Sequence, residues 1–188
     1  MKTSLFWIGM AIGTGISGCG PRSEKSTDTA GAVSDSLPGP DLWLDSARFY
    51  IDQTPFEELI ALEAEVSTHY SWFQNEYTDT RDRDFWIVEL SKLERVNKAV
   101  LRAKRDREAL PSALKLGQKQ WEDWKKAAAQ KEFEGDLGQR YLEDERRASN
   151  DLYRQARFRH NETASCLEIW KTLKPLLDST RTAFETPS

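Results

Sequence analysis

Residues 54–77 read TPFEELIALEAEVSTHYSWFQNEY. Phe56, Leu59, Ile60, Val66, Tyr70, Phe73 and Tyr77 recur at steps near three and four, which draws one apolar stripe along a helix and not the alternation of a strand. Thr54-Pro55-Phe56-Glu57 supplies a start signal: threonine at the N-cap, proline at the first helical position and a capping-box glutamate. Glu57, Glu58, Glu63 and Glu65 fill the first half of this helix, where the macrodipole favours negative charge.

The same period continues downstream. After a break over 78–84, Trp86, Leu90, Leu93, Asn97, Val100 and Leu101 describe a second helix, expected to end before Pro111 because the residue preceding proline disfavours the helical region. From Pro111 a third helix places Leu114, Gln118, Trp121, Trp124 or Lys125, and Ala128 on one side, with Gly135 as its expected C-terminal cap. Tyr141, Ala148, Leu152, Ala156, Cys166, Leu167, Trp170, Leu173 and Leu177 suit either two helices meeting near Asn161 or one bent there, with Pro175 beginning to break the last turns. No stretch alternates with a period of two. The fold class is therefore all-α, an antiparallel bundle of about four to five helices in one domain, residues 41–188.

Upstream, 41–51 carries Leu42, Trp43, Leu44, Phe49 and Tyr50, too apolar for a linker, and is expected to dock on the body as a short helix. Residues 20–40 are rich in Ser, Thr, Gly, Pro and Asp and hold no aromatic residue, the composition of a disordered tether. As a flexible coil it spans on the order of 25 Å. The first eighteen residues combine Lys2, an apolar run from Leu5 to Ile16 and small residues at Ser17 and Gly18, a secretory signal too short to span a membrane.

Ile16-Ser17-Gly18-Cys19 resembles the lipobox of bacterial lipoproteins. That resemblance implies cleavage between Gly18 and Cys19, a lipid on the Cys19 sulfur as the one covalent group, and a chain anchored in the cell envelope. Gly20 after the cysteine favours the outer membrane, facing the periplasm. Cys166 is then the only thiol left, so no intramolecular disulfide forms.

Charge is unevenly placed. The chain has 27 basic and 31 acidic side chains, and loss of Lys2 with the leader leaves a formal −5, which argues against a nucleic-acid binder. Residues 41–84 hold eleven acidic and three basic residues, whereas 85–110 hold seven basic and four acidic. The acidic set of Asp52, Glu57, Glu58, Glu63 and Glu65 is the candidate partner-binding surface, able to steer a basic partner.

Catalytic and metal signatures are weak. His69 and His160 form no helical metal pair, and no metal site or other cofactor is expected. Cys166 lies six residues from His160, well off in helical phase, and reads as a small core residue. Paired acids sit mostly on solvated helix faces, and Trp72, Trp86, Trp121, Trp124 and Trp170 read as core more readily than as sugar platforms. The chain reads as a non-enzyme.

Val96-Asn97 with Val100, then Leu114, Gln118 and Trp121 followed by Trp124-Lys125, resembles a motif of the lysozyme inhibitor LprI-like family of small bacterial envelope proteins. The likeness covers 89–130. The family's Tyr-Arg-Asp after the tryptophan step is replaced here by Trp124-Lys125-Lys126, and its several cysteines are missing, with none between Cys19 and Cys166. The resemblance implies an envelope protein that binds a lysozyme, here by laying the acidic set across its cleft. A different reading is an assembly lipoprotein that holds another envelope protein through Trp43 or the basic stretch 102–107. In either case Asn97, Leu114, Gln118 and Trp121 read as structural, with Asn97 and Gln118 hydrogen-bonded inside the bundle.

Overall fold

Thr54-Pro55 does divide the chain, but it closes the helix before it. A computed structural model describes residues 39–76, 83–130 and 135–186, all within the compact unit Ser36–Ser188. The leader, Gly18, Cys19 and nearly all of the tether lie outside the described residues. Five helices follow: α1 (Pro40–Gln53), α2 (Phe56–Ala61), α3 (Glu63–Asn75), α4 (Arg83–Ala129) and α5 (Asp136–Glu185). Among the described residues no strand occurs, so the all-α reading holds.

α1 starts with Pro40 at its first position and Asp41 in its first turn, both suited to a helix N-terminus. At its other end the Thr54 hydroxyl donates to the Tyr50 carbonyl at 2.5 Å, satisfying an acceptor that the ending helix leaves open. Thr54 is thus a C-cap and not the expected N-cap: Pro55 forces it to extended backbone, φ −78° and ψ 121°. α2 begins after Pro55 with no side-chain cap, so Glu57 closes no capping box. The expected single helix is also bent at Leu62, where ψ relaxes to −4° and the Leu62 amide reaches back to the Leu59 carbonyl at 3.2 Å.

α4 and α5 are longer than the sequence pattern suggested. α4 runs through Pro111 for 47 residues, about 70 Å, and α5 runs through Asn161 and Pro175 for 50, about 75 Å. An interior proline leaves one carbonyl without its donor and costs roughly 3 kcal/mol. Packing outweighs that here. Leu110 and Leu114 are buried on either side of Pro111, and Leu173 and Leu177 on either side of Pro175, so breaking either helix would expose core on both flanks. Gly135 does not cap the C-terminus of the preceding helix; it stands immediately before α5 with φ +72°, backbone that favours glycine.

Facing pairs define the topology. Asp41 meets Lys125, Glu57 meets Arg107 and Phe73 meets Trp86, so α1, α2 and α3 in turn run antiparallel to α4. Trp43 meets Tyr153, Tyr50 meets His160 and His69 meets Asp178, so α1 and α3 follow each other parallel to α5. Arg102–Glu162 and Arg159–Asp106 join α4 to α5 antiparallel. The result is an antiparallel three-column bundle whose first column is broken twice. Leu59, Val66, Leu93, Val96, Val100, Leu110, Cys166, Leu173 and Leu177 fill its axis. Gly117 lets α1 approach α4 closely: a Cβ there would lie 3.2 Å from Leu44 Cδ2.

Candidate functional site

The acidic set lands where the basic stretch can reach it. Glu57 takes Arg107 at 3.1 Å, Lys104 Nζ sits 2.8 and 2.9 Å from the two oxygens of Glu63, and Glu65 pairs with Lys174 while accepting from the Trp170 indole at 3.3 Å. Asp52 and Glu58 stay exposed. The structure therefore brings α2 and α3 acids together with α4 and α5 bases, and does not leave the five carboxylates as one open acidic face. The basic stretch is spent in the same way, since Arg102, Lys104, Arg105 and Arg107 each contact a carboxylate.

A denser cluster joins α4 to α5. The Asp106 side chain, 3% exposed, lies 2.6 Å from Arg159 Nε, in ionic contact but off the axis of a good hydrogen bond. Arg159 Nη1 also reaches Glu162 at 2.7 Å, and the other Glu162 oxygen takes Arg102 at 2.6 Å. Arg105 covers Asp106 from solvent at 2.8 Å. In the sequence Arg157, Arg159 and His160 interrupt the apolar stripe between Ala156 and Cys166. The signal was a matching interruption at Asp106, an acid at a core position of the facing helix.

His69 is buried. Its Nε2 is 3.1 Å from Asp178 Oδ1 and its ring meets Trp170 edge-on at 5.8 Å. Burial pushes its pKa below the ordinary 6.5, outweighing the opposing pull of Asp178; Lys174 and Arg181 lower it further and Glu65 opposes them. Cys166 is fully buried with its thiol pushed up by desolvation, as a small core residue would be. Among the described residues no group of three or more His, Cys, Asp or Glu is placed to hold a metal, and no helix is long and apolar enough to cross a membrane.

Of the family-motif residues, Leu114 and Trp121 are core, with Trp121 stacked on Trp124 at 4.9 Å. Asn97 and Gln118 are only partly buried, and among the described residues neither side chain makes the expected internal hydrogen bond. Gln118 instead lines a shallow cleft of about 300 Å³ between α1 and α4. A second groove, about 500 Å³, lies between Trp43 of α1 and Tyr153, Arg154, Arg157 and Phe158 of α5. Of its lining, Trp43 is the residue that the sequence offers as a contact.

No family model matches this chain, and neither a curated protein nor a solved structure matches it. Its class is defined by the fold alone, a three-column helical bundle.

Proposed function

We propose that this chain is a lipid-anchored binding protein of the bacterial cell envelope, held at the membrane by Cys19 and acting through the sides of its helical body. The observation that carries the reading is Ile16-Ser17-Gly18-Cys19 directly after a short apolar run with one leading lysine. Two acyl chains on the cysteine and one on its amine exceed the single-chain case in which membrane binding is marginal, so attachment is permanent. Replacing Cys19 with serine should move the protein to the soluble fraction of cells; a variant that stays with the membrane sinks the anchor.

Two partners follow from the residues. Inhibition of a basic lysozyme is supported by the likeness at Val96-Asn97, Leu114, Gln118 and Trp121, and by the exposed carboxylates Asp52 and Glu58. The assembly reading is preferred, because Glu57, Glu63 and Glu65 already hold cations of their own chain, whereas Trp43 opens onto a groove. Crosslinking in intact cells should recover an envelope protein other than lysozyme; recovery of lysozyme returns the role to inhibition.

A further inference from the structure

The α1–α5 groove has an aromatic floor and a cationic wall. The Trp43 and Tyr153 rings are tilted together with centroids 5.0 Å apart. Arg154 and Arg157 line it from adjacent turns of α5, Asn150 and Asn161 add two carboxamides, and no carboxylate lines it. Asp151 is exposed on the same helix but outside the lining. That wall is unusual in a chain whose other cations are so often claimed: Arg107 by Glu57, Lys104 by Glu63, Lys174 by Glu65, Arg102 and Arg159 by Glu162. Arg157 Nη1 reaches only the Tyr153 hydroxyl, at 3.3 Å, and Arg154 enters no ion pair among the described residues. Two guanidinium groups outside any ion pair, lining one groove with aromatic rings, suit an oxyanion carried on an apolar body, because the planar fork matches phosphate and the rings accept the apolar part.

We propose that this groove seats the headgroup of an anionic phospholipid, and that this side of α1 and α5 is where the body rests on the membrane. The proposal builds on the lipid anchor inferred above. Its lipid character comes from the surroundings. Phe158, 58% exposed, stands in the groove lining, and Leu42 and Phe49, seven positions apart and so on one face of α1, are exposed as well. Indole, phenol and guanidinium are the side chains that settle at a membrane–water interface, with rings toward the acyl boundary and charge toward phosphate. Position in the chain agrees. Leu42 and Trp43 lie in the first turn of the first described helix, so of the groove lining Trp43 is the residue nearest Cys19 along the chain.

The test uses the processed chain from residue 19 with Cys19→Ser, so that no acyl group contributes, and vesicles of phosphatidylcholine with and without phosphatidylglycerol. Flotation with the anionic vesicles alone, weakened by salt, is expected. Arg154→Gln with Arg157→Gln should weaken it about twenty-five-fold, at roughly five-fold for each cation lost near an anionic surface. Phe158→Ser should weaken it while leaving the salt dependence unchanged. These side chains are exposed, and an unchanged circular dichroism spectrum confirms that each variant is folded. Lys115→Gln with Lys119→Gln, on the exposed surface of α4, removes the same charge away from the groove and should bind within about two-fold of the parent, since a site-bound headgroup does not sense total charge. An equal loss in that control overturns the site, as does flotation that ignores Arg154 and Arg157. Sedimentation with purified peptidoglycan that depends on the two arginines, without flotation, reassigns the groove to a glycan. Failure of flotation while Cys19→Ser still releases the protein in cells overturns the groove and spares the anchor.

Discussion

Asp106→Ala should be among the most damaging single changes in the bundle. Asp106 and Arg159 are 3% and 16% exposed and 2.6 Å apart, so removing the carboxylate leaves a guanidinium that cannot swing out to water. Arg159 would keep Glu162 at 2.7 Å, but Glu162 is already shared with Arg102 at 2.6 Å, leaving one carboxylate to serve two buried-side cations. Loss of one partner of a buried pair costs 3–5 kcal/mol, and the remaining Glu162 contact argues for the lower end, about 3 kcal/mol. Arg105 adds little to this, being 66% exposed and free to return to solvent. For a chain of this size about 3 kcal/mol lowers Tm by roughly 10 °C. Thermal unfolding followed by circular dichroism measures it. Asp106→Leu combined with Arg159→Leu should recover most of the loss, since an apolar replacement of the whole pair restores packing without an orphaned charge. A cost below about 1 kcal/mol for Asp106→Ala, the range of an exposed pair, would refute the reasoning.

His69 gives the fold a pH dependence of definite sign. Its folded pKa lies below 6.5, so the unfolded chain binds the proton more readily; the stability that neutral His69 contributes is complete above pH 6.5 and is lost as pH falls toward the folded value. Urea midpoints on either side of pH 6.5 should drop on acidification more in the parent than in His69→Leu, and equal drops would show that another group is responsible. Gly117 tests the seat of α1: Gly117→Ala should be near neutral, because about 1 kcal/mol of helix propensity offsets a shift of a few tenths of an ångström at Leu44. Gly117→Leu should lose about 1–3 kcal/mol by overpacking, and a urea midpoint equal to that of the alanine variant would mean that α1 does not rest there.

The helical class was legible because Phe56, Leu59, Val66, Leu93, Val100, Leu114, Leu173 and Leu177 repeat at the helical period and are buried where that period puts them. Helix ends were not. Pro111 and Pro175 are local stop signals, whereas the leucines that keep α4 and α5 helical past them act through tertiary packing, which no local rule contains. Thr54-Pro55 marks a boundary without saying which helix it serves, since the same hydroxyl can reach the carbonyl behind it or the amides ahead, and here it takes the Tyr50 carbonyl. Of the candidate surface, the excess of acid before residue 84 and of base after it was visible, but Glu57 and Arg107 are 50 positions apart, and sequence gives no sign that they face each other. The α1–α5 groove was hidden for a related reason: Trp43 and Arg157 are unremarkable singly and become a site only when α1 lies beside α5.

The complementarity of those two charged stretches bears on register. Apolar stripes alone specify a three-column bundle poorly, because sliding one helix past another by a heptad still opposes apolar residues. The charges do not tolerate it. Such a slip of α4 would set Glu57 against Leu114 or Val100 in place of Arg107, and would set Asp106 against Leu152 or Cys166 in place of Arg159. Each exposed pair between helices contributes at most about 1 kcal/mol to stability, yet all are lost together in the slipped arrangement, and the buried Asp106 then loses its α5 cation and keeps only the exposed Arg105. Charge segregation along the chain is accordingly accounted for inside the fold, as a set of pairs that only one register satisfies. Cations that stand outside that set have no structural duty to explain them, and Arg154 and Arg157, which line one groove with Trp43 and Tyr153, are the two that share a groove.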